Sequence, residues 1–108
     1  MLRRDTYMLN TTMIIKDGEL FCALEGRLDA LSAPGFDREL EAALPGVTGL
    51  TLDCEKLEYI SSAGLRTILA AEQYMEENGF RQVKVLNISE TVRETFEVTG
   101  FDNVVELG

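Results

Sequence analysis

The segment Cys54–Leu69, CEKLEYISSAGLRTIL, carries the residues best placed to do chemistry. Ser61 and Ser62 stand side by side, followed at once by Ala63 and Gly64 and then by Arg66. A serine in such a bend can attack a substrate, accept a modification, or simply cap a helix. Attack through a nucleophile elbow needs Gly-x-Ser-x-Gly, but Ile60 stands where the first glycine would fall for Ser62. The chain has no histidine, which closes off a Ser-His triad and a zinc site with histidine ligands. The lysines, Lys16, Lys56 and Lys84, never follow a serine at Ser-x-x-Lys spacing. A phosphate-cradling loop needs more glycines than SSAGLR supplies, and a lysine. Asp29, Asp53 and Glu58 belong to a set of 19 acidic residues, so their presence alone marks no acid–base pair. The sequence therefore predicts a chain that is not an enzyme and needs no metal or cofactor. A serine at a helix start is most simply an N-cap, and modification is the reading to weigh against it.

The elements that must position this bend are legible from periodicity and turn residues. Thr11–Lys16 is apolar and β-branched, Asp17-Gly18 signals a hairpin, and Leu20–Leu24 continues as a second strand that Gly26 breaks. Ser32 is the expected N-cap of a helix with Phe36, Leu40, Ala43 and Leu44 on one face, stopped by Pro45-Gly46. Val47–Cys54 alternates as a short strand, with Asp53 as an exposed strand-end residue. After the bend at 57–64, the longest helix runs from Leu65 to Gly79. Its apolar stripe contains Glu72, for which the pattern supplies no reason. Phe80–Asn87 reads as a strand, Ser89 caps a third helix ending at Gly100, and the chain closes in a short extended piece. The order β-β-α-β-α-β-α-β predicts an α/β fold: a mixed sheet of four to five strands with helices mainly on one face.

Composition narrows the function classes. At 108 residues the chain fits one domain. Ten basic residues against 19 acidic ones give a net charge of −9. That argues against direct nucleic-acid binding, which relies on clustered Lys and Arg, and favours partners with basic faces. No apolar run is long enough to insert in a membrane. No apolar stretch follows Arg3-Arg4 as a secretory signal would require, so a cytoplasmic location is expected. Cys22 and Cys54 fall inside apolar runs and read as buried free thiols.

Taken together, LEGRLDA, LTLDCEKLEYI, SSAGL and ISETVRETFEVTGFDNVVEL resemble a STAS domain, and more narrowly the single-domain bacterial anti-sigma-factor antagonists. The resemblance covers about residues 11–107, so a single STAS domain is expected across 1–108. It implies a partner that is both an anti-sigma factor and a serine kinase, with a serine phosphatase to reverse the modification. In that family the kinase modifies a serine in a segment usually written Asp-Ser-Ser/Thr-Gly-Leu. Aligning Gly64-Leu65 on its Gly-Leu places Ser62 on the acceptor, Ala63 on the second hydroxyl residue and Ser61 on the aspartate. Ser61 thereby becomes a second candidate acceptor. The resemblance also implies a partner surface of Asp29, Ser61, Ser62, Ala63, Gly64 and Arg66, although Asp29 is as well suited to capping the first helix and Arg66 to a solvated helix face.

A helix N-terminus tolerates a phosphate because its unpaired N–H groups carry partial positive charge. A partner docked over the same point meets a new charge of −1.5 to −2. The expected function is release of a sigma factor by sequestering its anti-sigma factor, switched off by phosphorylation. The alternative is a STAS interaction subunit of a lipid-transport or stress-sensing complex without a sigma-factor partner.

Overall fold

The computed structural model describes residues 8–108. Five strands, β1 (Leu9–Lys16), β2 (Glu19–Leu28), β3 (Gly49–Ile60), β4 (Lys84–Leu86) and β5 (Glu106–Leu107), form one sheet in the order β1-β2-β3-β4-β5. Only β1 and β2 are antiparallel, and the remaining neighbours are parallel. Three helices connect them: α1 (Ala33–Ala43), α2 (Ser62–Glu77) and α3 (Glu90–Thr99). The mixed sheet and the element order match the expectation from sequence.

The β1–β2 hairpin closes on Asp17 and Gly18, both at positive φ (53° and 80°). Such a turn follows the right-handed twist of the strands it joins. Along β2 and β3 alternate residues are buried: Leu20, Cys22, Leu24 and Leu28 from one, Leu50, Leu52, Cys54 and Ile60 from the other. Phe36 and Leu40 of α1, Ile68 and Met75 of α2, and Phe96 of α3 complete one contiguous core. Each such side chain contributes about 1.5–3 kcal/mol by leaving water. Phe96 also meets Phe101 edge-to-face, with ring centroids 6.3 Å apart. Burial pushes the thiols of Cys22 and Cys54 up to about 12, so both stay protonated as packing groups.

Four expectations are corrected. Gly26 does not break β2: at φ 108° it sits in the strand opposite Leu9, at an irregularity of the β2–β3 register. A Cβ there would collide with the Met8 carbonyl oxygen, so the position needs glycine for space and for conformation. β3 runs on past Cys54 to Ile60, because Leu57 and Ile60 pair with Gly26 and Leu28 and turn inward. Asp53 is consequently a half-buried mid-strand residue whose carboxylate accepts from Asn87 Nδ2 (3.0 Å) and from the Glu55 amide (3.1 Å). β4 is limited to three residues, since Arg81 pairs instead with Glu19 and the Val83 amide turns to α2.

That last contact explains Glu72. Its Oε1 accepts from the Val83 amide at 2.8 Å, stitching the middle of α2 to the entry of β4. Val83 is fully buried, so its N–H has no water to fall back on. Glu72→Ala should cost about 1–3 kcal/mol in urea unfolding, and Glu72→Gln, which keeps an acceptor, should recover most of it. Equal midpoints for Glu72→Ala and wild type would refute this tether.

Candidate functional site

Parallel pairing of β2 and β3 places Leu28 opposite Ile60 and brings their following loops out side by side. The Ser61 amide donates to the Leu28 carbonyl at 2.9 Å, locking the two strand ends together. Asp29 opens one loop and Ser61-Ser62 forms the other, so residues more than thirty positions apart in sequence meet at one edge.

Gly64 is what lets α2 start so close. A Cβ at this buried position would lie 2.6 Å from Leu28 Cγ, 2.8 Å from the Leu28 carbonyl oxygen and 2.9 Å from Ile60 Cγ1. Its contribution to the site is therefore to seat the helix end.

Ser61 is the N-cap residue of α2 by backbone, with φ −104° and ψ 178°, and its carbonyl accepts from the Leu65 amide at 3.0 Å. Its hydroxyl makes no cap hydrogen bond. That Oγ is also shut off from solvent and lacks a hydrogen-bond partner among the described residues. The first-turn amides of Ser62, Ala63 and Gly64 thus receive no side-chain cap, and the helix adds no acidic residue in its first turn. Ser62 is exposed at this uncapped end, and Arg66, one turn further, is exposed too. The structure brings Ser61, Ser62, Ala63 and Gly64 to one helix end, with Arg66 on the turn above. The hydroxyls of the two serines differ sharply in access.

Asp29 does its work within the loop. Its Oδ1 accepts from the Leu31 amide (3.0 Å) and the Ser32 amide (3.2 Å), and its carbonyl accepts from Ala33 (2.8 Å). Ser32 holds the expected N-cap position of α1, its carbonyl accepting from the Phe36 amide at 3.2 Å, but its side chain does not cap: Oγ donates to the Arg27 carbonyl at 2.7 Å while accepting from the Asp29 amide at 3.0 Å. Arg27 lies 3.6 Å from the Asp29 carboxylate and stacks 4.3 Å over the Tyr59 ring, so the loop is anchored to both strands. Burial raises the Asp29 pKa, but the Ser32 and Leu31 amides outweigh it and hold the carboxyl below its usual value. The sign follows: a lowered folded pKa adds stability above the ordinary carboxylate range near 4, lost as pH falls through the folded value. Asp29→Ala should cost about 1 kcal/mol at pH 7. In paired urea titrations from pH 6 down to 3, that gap should narrow; a gap independent of pH would show that the carboxylate charge is irrelevant.

One neighbour was not legible from sequence. Leu31, between Asp29 and α1, is 86% exposed, a large apolar side chain in water. Hydropathy patterns assign leucine to a core, and only the Asp29-centred turn shows why this one points away.

The chain as a whole is similar to known proteins. Residues 15–106 match the family described as "Mlab, STAS domain". The chain therefore belongs to the STAS domain family. It is 36% identical over 95 residues to BtrV of Bordetella bronchiseptica, named as a candidate anti-sigma factor antagonist, covering 86% of this chain and 80% of that protein. In fold it is similar to an anti-sigma factor antagonist from Mycobacterium paratuberculosis (TM-score 0.81, 21% identity, 92% of this chain and 84% of the other). It also resembles the Bacillus protein SpoIIAA in its phosphorylated form (TM-score 0.72, 20% identity, 92% and 91%). No helix among the described residues is long and apolar enough to cross a membrane.

Proposed function

We propose that this chain is an anti-sigma-factor antagonist whose binding surface surrounds Ser62 and which is released from its partner by phosphorylation of that serine. The observation that carries the reading is the contrast at the α2 start. Ser62 is exposed, at a helix end without a side-chain cap, while the Ser61 hydroxyl is enclosed. A kinase needs an accessible hydroxyl, and the amide-rich helix end receives the resulting dianion with little change in this protein's own fold. The 36% identity to BtrV, over most of both chains, supports the class of partner.

The chemistry of transfer belongs to the kinase; this chain supplies the acceptor oxygen and its presentation. Ser61 stands where the family has an aspartate, so no carboxylate adjoins the acceptor on its N-terminal side. Electrostatic repulsion of the incoming phosphoryl group is reduced accordingly. The test is incubation with the serine-kinase anti-sigma factor of the same genome and ATP, followed by mass mapping. Phosphate on Ser62 is the expected result; phosphate on Ser61, or none while the kinase is demonstrably active, overturns it.

A second reading, an interaction subunit of another complex with no sigma-factor partner, draws on the family description, which names Mlab beside the STAS domain. Failure of the unmodified chain to bind any anti-sigma factor of its genome would favour it.

A further inference from the structure

The surface holding Ser62 does not end at the helix start. It continues as a furrow between α1 and α2. Ala63 and Arg66 line its near end, Leu40, Glu41 and Tyr74 its far end, and Asp37, Thr67 and Ala70 line both, so the two ends form one channel. The furrow is shallow-walled on the α2 side because Ala63, Thr67 and Ala70 recur at intervals of four and three, presenting small side chains along one face. Its floor is apolar, with Leu40 buried beneath and Ala70 left exposed.

The α1 rim is acidic. Asp37 and Glu41 stand one turn apart, a spacing at which like charges repel. Among the described residues neither forms an ion pair. A cation lying along this rim would be drawn to both carboxylates, and the chain's net charge of −9 adds to that attraction. From position 63 to 74 the α2 wall runs roughly 16 Å at 1.5 Å per residue, the length of about three helical turns.

We propose that this furrow takes a short amphipathic helix of the partner protein, its small apolar side chains on the floor and its Lys or Arg residues along the Asp37–Glu41 rim. The inference rests on the reading of the Ser62 surface as the partner-binding face and adds to it the partner's chemistry. A helix seated in the furrow ends at Ala63 and Arg66, next in sequence to Ser62 and one turn on from it. The phosphate then meets a partner already fixed in place, which cannot slide aside to avoid the charge.

The experiment measures affinity for the anti-sigma factor of the same genome by titration calorimetry. The variants are Ala70→Trp, which fills the furrow, Asp37→Lys/Glu41→Lys, which reverses the rim, Ser62→Asp, and Val98→Arg as a control on α3. Val98 is 81% exposed, so its replacement tests surface change as such. Urea unfolding checks that each variant is folded.

Ala70→Trp is expected to weaken binding at least tenfold. The rim reversal should also weaken it tenfold or more and flatten its dependence on salt, while Val98→Arg leaves both unchanged. If Ser62→Asp weakens binding but both furrow variants bind as wild type, the furrow proposal falls and the switch stands. If the furrow variants lose affinity and Ser62→Asp does not, the furrow stands and the switch falls. Absence of binding by the wild-type chain overturns both.

Discussion

On the proposed function, a Ser62→Asp chain should bind the anti-sigma factor of the same genome at least a hundredfold more weakly than wild type, and Ser62→Ala should bind within a few-fold of it. The size follows from burial of charge at an interface. An uncompensated charge trapped against a partner costs several kcal/mol, and about 3 kcal/mol corresponds to more than a hundredfold in affinity at 1.4 kcal/mol per decade. Removal of the hydroxyl forfeits at most one neutral hydrogen bond, worth about 1 kcal/mol. The two substitutions therefore separate charge from contact. Stability should move in neither case by more than about 0.5 kcal/mol, because Ser62 is exposed and the cap position belongs to Ser61. A carboxylate at position 62 also lies in the first turn of α2, where the helix dipole favours it. Similar affinities for Ser62→Asp and Ser62→Ala would remove charge from the mechanism.

Gly64→Ala should lower the melting temperature by on the order of 10 °C. Helix propensity argues the other way, since alanine is preferred over glycine by about 1 kcal/mol in a helix interior. Space decides the sign. The added Cβ would sit 2.8 Å from the Leu28 carbonyl oxygen and 2.9 Å from Ile60 Cγ1. The Leu28 side chain could rotate, but its carbonyl is held by the Ser61 amide at 2.9 Å and cannot withdraw without opening the junction of β2 and β3. Overpacking of this kind costs about 1–3 kcal/mol, occasionally more, and the rigid neighbour places the net loss near 2 kcal/mol. At about 4–8 °C per kcal/mol for a domain of this size, the shift is readily seen by calorimetry. The same displacement would move the Ser62 end of α2, so partner affinity should fall alongside. An unchanged or raised melting temperature would mean that α2 does not need this close approach.

Much of the architecture was legible in local pattern. The Asp17-Gly18 hairpin, the Ser89 cap, whose Oγ accepts from the Val92 amide at 3.2 Å, and the Gly100 stop at φ 80° are all encoded within a few residues of where they act. So was the serine bend, because two hydroxyls before Ala-Gly-Leu mark a helix start whatever the surroundings. Gly26 misled because a glycine inside a strand run reads as a terminator. What retains the strand is the approach of the Met8 carbonyl from β1's side, a contact that no window of sequence contains. Glu72 had no explanation in the pattern for the same reason: its partner, the Val83 amide, lies on another element eleven residues away.

By itself, then, the sequence determined the element types, their order, the one-sided core and the location of the serine bend. Each of these follows from backbone preference and hydrophobic periodicity over short distances. Only the tertiary structure decided which serine hydroxyl faces water, that Asp29 holds its own loop, and that α1 and α2 leave an acid-rimmed furrow beside Ser62. Access and juxtaposition depend on how separate elements pack, and packing is set by contacts between residues distant in the chain.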